Sequence, residues 1–482
     1  MNPATPVTIT LSNELKLRHL PPVLRDSLMA RLEMENPQYV EATRLGRWTR
    51  GMSKVLRFHH RLGADGLVAP RGFIRPVVDM CRQQGIEFHI EDRRRDPAPV
   101  DFTFQGKLKP FQEKAVADCL AKDFGVLSAP TGSGKTVMAL AVVAARRRPT
   151  LIVVHTRELQ DQWIERIGAF LGLPPERIGR IGGGKVAPAG EITVAMVQTL
   201  YKHLEAVVPT VGFLVVDECH RCPSRTFTEA VTAFDCRYML GLSATPWRRD
   251  KLSKLIFWHL GNTSHEIEHR RLVASGDVLD AEVIMRETEF KPYFDPVTEY
   301  SRMLSELTAD DSRNRLIAAD VAREATDTGG TILVLSDRRR HCETLQGLLR
   351  LGHGIAAEKL TGDMPVADRQ ALLERINRGE VSVVVATGQL VGEGFDCRNL
   401  SSLFLATPIR FSGRVIQYLG RVLRPAPGKQ KARVFDYLDA RVDVLVAAAR
   451  ARQRVYDQGA ASRTIARGWS AQSPLPDDGH RK

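Results

Sequence analysis

The sequence predicts an α/β protein with two tandem parallel-sheet domains and a small N-terminal α+β domain. Three observations carry this. Short runs of Val, Ile and Leu at 125–127, 151–154, 192–197, 213–216 and 238–242 each precede a helix-length segment without strict polar alternation, as strands buried on both faces do. The rhythm restarts at 332–335, 355–360, 381–385, 403–405 and 434–435, which marks a second unit of the same kind. A chain of 482 residues, 43% of them hydrophobic, is long enough for about three domains, each with its own core. The expected boundaries are 1–100 for the α+β domain, 101–290 and 300–445 for the two α/β domains, and 446–482 for a helix and flexible tail.

In order along the chain, residues 7–11 read as a strand, 23–32 as a helix, 55–59 as a strand, 74–81 as a helix and 86–90 as a strand. Residues 93–99 are polar and hold Pro97 and Pro99, which forbid a continuing helix, so they read as a linker. The connector at 285–310 contains Lys291-Pro292-Tyr293-Phe294-Asp295-Pro296 and has no clear period. An Ala/Arg-rich helix follows 445, and the Pro-containing 473–479 reads as a frayed end.

Lys and Arg number 69 against 56 Asp and Glu, a formal charge of +13 spread along the chain, so a polyanion is the expected partner and nucleic acid the leading one. The longest uninterrupted apolar run, 137–145, is far short of the ~20 residues that span a bilayer, so no membrane association is expected. Glu14, Lys16 and Arg18 interrupt the first 30 residues and leave no signal-peptide core, which implies a cytoplasmic protein. Seven cysteines, an odd number, then read as reduced thiols. Cys219 and Cys222 have zinc-ligand spacing, but no second ligand pair follows them.

Ala129-Pro130-Thr131-Gly132-Ser133-Gly134-Lys135-Thr136 follows a buried strand and opens a helix, the context of a phosphate-binding loop. Its glycines let backbone N–H groups turn toward phosphates, and the helix start adds favourable partial charge. Lys135 is expected on the β- and γ-phosphates of ATP, and the Thr136 hydroxyl on Mg2+. Ala129 stands where the usual pattern has its first glycine. The strand 213–216 ends in Asp217-Glu218, which places two carboxylates at the sheet edge where ligands bind. Asp217 is expected to hold the metal through water, and Glu218 to orient or deprotonate the attacking water.

With these motifs in order, the chain resembles a superfamily 2 helicase of the DExH type, in the group around XPB, UvsW and the type I and III restriction motors. The resemblance covers roughly 107–440 and implies two RecA-like domains. Leu108-Lys109-Pro110-Phe111-Gln112 resembles the upstream motif, which implies that Gln112 reads adenine. The segment from Val154 to Trp163 resembles motif Ia and Val197-Gln198-Thr199-Leu200 motif Ib, implying strand contacts by Thr156, Arg157, Gln198 and Thr199. Ser243-Ala244-Thr245 resembles motif III, which with His220 implies coupling of nucleotide state to the strand. Ser336 sits where motif IV belongs, and Thr387 through Gly394-Phe395-Asp396 resembles motif V, implying further strand contacts by Ser336 and Thr387 and nucleotide contacts by Gly394 and Asp396. Gln417-Tyr418-Leu419-Gly420-Arg421-Val422-Leu423-Arg424-Pro425 resembles motif VI; on a helix Gln417, Arg421 and Arg424 share one face and could stabilise the charge of phosphoryl transfer.

The implied function is an ATP- and Mg2+-dependent DNA helicase or translocase. An RNA helicase of the same architecture, the motor subunit of a restriction system and an ATP-gated clamp are the alternatives. Trp163 and Trp247 read as packing residues or as base-stacking ones. In the N-terminal domain Arg44, Arg47, Arg50, Lys54, Arg57 and Arg61 recur every three or four residues around Trp48 and His59-His60. That is either a phosphate-tracking stripe or a solvated face.

Overall fold

A computed structural model describes residues 5–44, 46–221, 225–244, 253–279, 281–327, 329–388, 397, 399–409, 418, 422, 429, 432–458 and 462–465. The chain forms two compact units, one of Met1–Ala129 with Gly134–Ile267 and one of Pro130–Ser133 with Glu268–Lys482.

In the first unit the N-terminal strands are β1 (Val7–Leu11), β2 (Glu14–Arg18), β3 (Glu33–Glu35), β4 (Val55–Arg57), β5 (His60–Leu62), β6 (Gly66–Pro70) and β7 (Phe88–Asp92). Five of them form a sheet in the order β5-β6-β2-β1-β7, while β3 and β4 pair separately. The pairing is antiparallel except that β1 and β7 run parallel. Alternate residues of β1 and β2 are buried, which gives the sheet one apolar face. The helices Pro22–Arg31 and Ile74–Gln83 cover it with Leu24, Leu28, Val77 and Met80.

This module does not stand apart as a tethered domain. Leu255 and Trp258, from the helix Ser253–Leu260 downstream, belong to its core. Phe58 and Phe73 pack on Trp258 with ring centroids 5.3 and 6.1 Å away. Arg71, 2% exposed, donates to the carbonyl of Cys236 at 2.7 Å. A Cβ at Gly72 would come within 2.3 Å of the Phe257 carbonyl, so only glycine allows the two backbones to meet there. The residues read as a linker are fixed too: Arg95 N donates to Asp235 O, and Arg94 pairs with Asp92 and Asp123, each at 2.7 Å.

The same unit holds an eight-stranded sheet: β8 (Phe124–Ser128), β9 (Thr150–Val154), β10 (Ile178–Gly182), β11 (Lys185–Ala187), β12 (Ile192–Met196), β13 (Phe213–Val216), β14 (Tyr238–Ser243) and β15 (Thr263–Glu266), in the order β11-β10-β12-β9-β13-β14-β8-β15. Only the β10–β11 hairpin is antiparallel. Every residue of β9 and β13 is buried, as central parallel strands covered on both faces require. The helix Lys135–Arg146 buries Met138 through Ala144, and a fully buried Leu140 or Val143 contributes about 1.5–3 kcal/mol.

The second unit holds a parallel seven-stranded sheet: β16 (Ala281–Glu287), β17 (Thr331–Ser336), β18 (Ala357–Leu360), β19 (Val383–Thr387), β20 (Leu400–Leu405), β21 (Ala432–Leu438) and β22 (Ser462–Ile465), in the order β18-β19-β17-β20-β21-β16-β22. Two expectations are corrected here. β16 falls within the stretch read as the first α/β domain, yet it pairs along its whole length with β21. Residues 462–465, read as part of the tail, form a strand against β16 after the helix Asp443–Gln458. Phe404 and Phe435 stack at 4.1 Å between adjacent strands of this sheet. No helix among the described residues is long and apolar enough to cross a membrane.

Candidate active site

Because β8, β9, β12, β13 and β14 run parallel, the residues that follow them emerge at one edge. β8 ends at Ser128, and the loop that follows has Gly132 and Gly134 at φ +90° and +85°, backbone that side-chain-bearing residues seldom adopt. Gly134 caps the helix Lys135–Arg146 without any side-chain cap, so its first N–H groups face the loop. Ala129 is 1% exposed, its N–H donating to Ser243 O at 3.0 Å. Lys135 Nζ donates to Ala129 O at 2.9 Å, which folds the ammonium over the loop. Thr131 Oγ1 is buried with no hydrogen-bond partner among the described residues. Gln112 Oε1 accepts from Lys109 N at 3.0 Å, and a Cβ on Gly134 would lie 2.6 Å from Gln112 Nε2, so Gln112 rests on the loop.

β13 delivers Asp217 and Glu218 to the same edge. Asp217 is 8% exposed, and both of its oxygens accept hydrogen bonds: Oδ2 from Trp163 Nε1 at 2.8 Å and Oδ1 from Glu218 N at 2.9 Å. Burial pushes its carboxyl up to about 6, Glu218's charge adds to the rise, and the Trp163 bond and Lys135's charge oppose it. Glu218 has φ +49°, a left-handed conformation costing of the order of 1–3 kcal/mol. Its Oε2 lies 3.1 Å from His220 Nδ1, which in turn is 3.2 Å from Ser243 Oγ at the end of β14.

Next along the edge, Thr156 caps the helix Arg157–Leu171 by accepting from Leu159 N at 3.3 Å. Arg157 and Gln198 are exposed and Thr199 half-buried; Gln198 Nε2 donates to His155 O at 3.3 Å, joining the ends of β9 and β12. In the second unit Ser336 pairs with Thr387 across β17 and β19. Ser336 is 1% exposed, with its hydroxyl 2.9 Å from His341 Nδ1 and accepting from Arg338 N at 3.1 Å. Expected as a strand contact, its side chain instead fixes the turn below the surface. Thr387 beside it is half-buried. Thr245, Gly394, Asp396, Gln417, Arg421, Arg424, Cys222 and Trp247 lie outside the described residues.

The residues at the first edge fit a Mg2+-bound nucleoside triphosphate. A buried hydroxyl at Thr131 without a partner among the described residues and two left-handed glycines suit phosphate oxygens, and the hydroxyl of Thr136 with the carboxylate of Asp217 suits the oxygen donor set of a hard cation. Sequence reasoning missed the part of Trp163. At 2% exposure it is no base-stacking platform but the donor to Asp217. The signal was present: Trp163, Ile167 and Leu171 share one buried helical stripe, and a buried indole N–H needs an acceptor.

The family profile "Type III restriction enzyme, res subunit" matches residues 105–248, and "Helicase conserved C-terminal domain" matches 313–426. The chain is 26% identical over 377 residues to "Probable helicase D10" of Escherichia phage T5, covering 75% of this chain and 78% of the relative. It is 27% identical over 376 residues to L396 of Acanthamoeba polyphaga mimivirus, by its name a candidate ATP-dependent RNA helicase, covering 74% of this chain and 69% of that one. Over a shorter stretch, 165 residues covering 34% of this chain and 37% of the relative, it is 36% identical to the DNA 3'-5' translocase XPB2 of Sulfurisphaera tokodaii.

Proposed function

For a chain that belongs to the superfamily 2 helicases related to the restriction motors, and is therefore a nucleic-acid-dependent ATP hydrolase, we propose that the polymer it moves on is DNA. The carrying observation for the ATP site is the convergence of Lys135, Asp217 and Glu218 at one sheet edge, close enough for Lys135 to favour the ionised form of Asp217.

Lys135 meets the β- and γ-phosphates, Thr131 and the loop N–H groups of 131–134 cradle the phosphate chain, and Gln112 recognises the adenine. Thr136, and Asp217 through water, would hold Mg2+, which when bound would draw charge from the phosphates. Glu218 accepts the proton of the attacking water, and His220, itself in contact with Ser243, holds that carboxylate in place. Arg421 and Arg424, with Gln417, are proposed from their motif to stabilise the charge of the transferring phosphoryl group.

Thr156, Arg157, Gln198 and Thr199 on the first unit, and Thr387 on the second, contact the nucleic acid strand. In the N-terminal module Arg44, Arg47, Arg50, Lys54, Arg57 and Arg61 are all exposed, and Trp48 is 76% exposed. A basic surface carrying an uncovered aromatic suits phosphates and bases. DNA is supported by the translocase relative at 36% identity. RNA is the second reading, favoured by the name of the mimivirus relative. ATPase rates measured in parallel with single-stranded, duplex and branched DNA and with RNA decide: stimulation by RNA above that by every DNA substrate rejects the DNA reading, and no stimulation by any of them favours a clamp.

A further inference from the structure

The two hydrogen bonds that hold the Asp217 carboxylate come from different elements. One is local, from Glu218 N at 2.9 Å. The other comes from Trp163 Nε1 at 2.8 Å, on the helix Arg157–Leu171. That helix begins at Thr156 and Arg157, residues read above as strand contacts. Trp163 lies about 9 Å further along the helix axis, from 1.5 Å of rise per residue. One turn before it, Gln160 is 1% exposed and donates from Nε2 to Ile181 O at 3.0 Å and to Val194 O at 2.8 Å. The helix is therefore fastened to β10 and β12 by Gln160 and to the end of β13 by Trp163. A helix with buried polar anchors at two successive turns moves with them. A displacement of its exposed start must reach the indole N–H, and through it the carboxylate.

We propose that Trp163 is a positioning residue that orients the Asp217 carboxylate for Mg2+ and links contact at the Thr156–Arg157 helix start to hydrolysis. The proposal rests on the reading of Lys135 and Asp217 as the ATP site. Asp217 would hold the metal through water, and Trp163 would not meet it. What Trp163 supplies is a donor aimed at one oxygen, leaving the free lone pairs of the carboxylate in a fixed direction. Outer partners that orient a metal-holding group typically change metal affinity or activity by about 10–100-fold when removed.

Trp163→Phe keeps an aromatic ring in the core and removes the donor. Affinity for a fluorescent ATP analogue is measured against Mg2+ and again in EDTA, with single-stranded DNA binding in the absence of nucleotide as a control. The expected result is an EDTA affinity within about twofold of the unsubstituted chain, a Mg2+ midpoint raised about tenfold, unchanged DNA binding, and a smaller factor by which DNA accelerates ATP turnover. A Mg2+ midpoint and a stimulation factor equal to those of the unsubstituted chain overturn the proposal. So does an equal loss of affinity in EDTA and in Mg2+, which is the signature of damaged packing. If the unsubstituted chain binds no ATP analogue at all, the nucleotide reading fails and takes this proposal with it. Should the variant not fold, the unsubstituted sequence labelled with 5-fluorotryptophan serves instead. Of its five tryptophan resonances, a solvent-protected one should shift when Mg2+ joins the bound nucleotide but not when nucleotide binds in EDTA; no such shift overturns the proposal.

Discussion

His220 Nδ1 lies 3.1 Å from Glu218 Oε2, and the hydroxyl of Ser243 is 3.2 Å from the same nitrogen. The imidazole thus stands between the proposed base at the end of β13 and the end of β14. His220 is 7% exposed and Ser243 fully buried, so neither contact is diluted by water. Holding Glu218 in its left-handed backbone with its carboxylate turned to His220 fixes where a water proton can go. His220→Ala should leave ATP affinity nearly unchanged and lower the nucleic-acid-stimulated turnover about tenfold or more, since a hydrogen bond to a charged group is worth about 1.5–3 kcal/mol. Steady-state kinetics with saturating single-stranded DNA check it; a variant with wild-type stimulated turnover removes His220 from the chain of contacts.

Lys135 and Glu218 serve different atoms and should fail differently. Lys135→Ala should weaken ATP binding or hydrolysis by removing a phosphate contact, while Glu218→Gln should keep binding and lose turnover. Equilibrium nucleotide binding and single-turnover hydrolysis separate the two. If Glu218→Gln hydrolyses ATP at the unsubstituted rate, the base lies elsewhere.

Much of this site was legible in the chain. The loop from Ala129 to Thr136 and the Asp217-Glu218 pair each follow an uninterrupted apolar run, and a run buried on both faces leaves a strong mark in sequence. Harder to read were strands buried on one face. β2, Glu14-Leu15-Lys16-Leu17-Arg18, hides only Leu15 and Leu17, and its charges resemble a turn. β16 was read with the wrong domain because sheet membership is decided by pairing with β21, far along the chain, which no local pattern encodes. The Arg71 contact with Cys236 and the Trp258 contact with Phe73 escaped for the same reason.

Asp217 has a carboxyl raised to about 6 by burial and by Glu218, against an ordinary 3.8. A metal needs the ionised form, so Mg2+-dependent nucleotide binding should weaken as pH falls through about 6. Because the cation favours the carboxylate, the midpoint of that loss should move to lower pH as Mg2+ is raised. For the metal-free fold the sign is opposite: a raised carboxyl contributes stability below its unfolded value, and this contribution is lost as pH rises through about 6. Nucleotide titrations from pH 5 to 8 at two Mg2+ concentrations test the binding limb, and a midpoint that ignores Mg2+ assigns the titration to another group.

The N-terminal module can play two separable parts, DNA recognition and completion of the core around Trp258. A chain begun near Phe102 would not isolate DNA recognition, because it would strip Phe58 and Phe73 from Trp258 and uncover Leu255. Such a truncation should lower the unfolding temperature and impair every activity together. Trp258→Ala alone should cost about 3–5 kcal/mol, the usual range for a large buried aromatic. The exposed surface can be tested without touching that core. Arg44, Arg47, Arg50 and Lys54 are solvent-exposed. Changing all four to Gln should leave thermal stability within about 0.5 kcal/mol, as surface substitutions usually do. If these side chains meet DNA phosphates, affinity for duplex and forked DNA should fall, and each lost contact should make the slope of log affinity against log salt shallower by about 0.9. Trp48→Ala should lower affinity for single-stranded ends by about 1–3 kcal/mol if the ring stacks on a base, and change nothing if it does not. ATPase stimulated by short single-stranded DNA should survive the fourfold Gln change and Trp48→Ala, because Lys135, Glu218 and the Thr156–Arg157 edge are untouched. An unchanged salt slope on forked DNA in the fourfold variant would show that the basic face is solvated surface and that the module's part is to complete the core around Trp258.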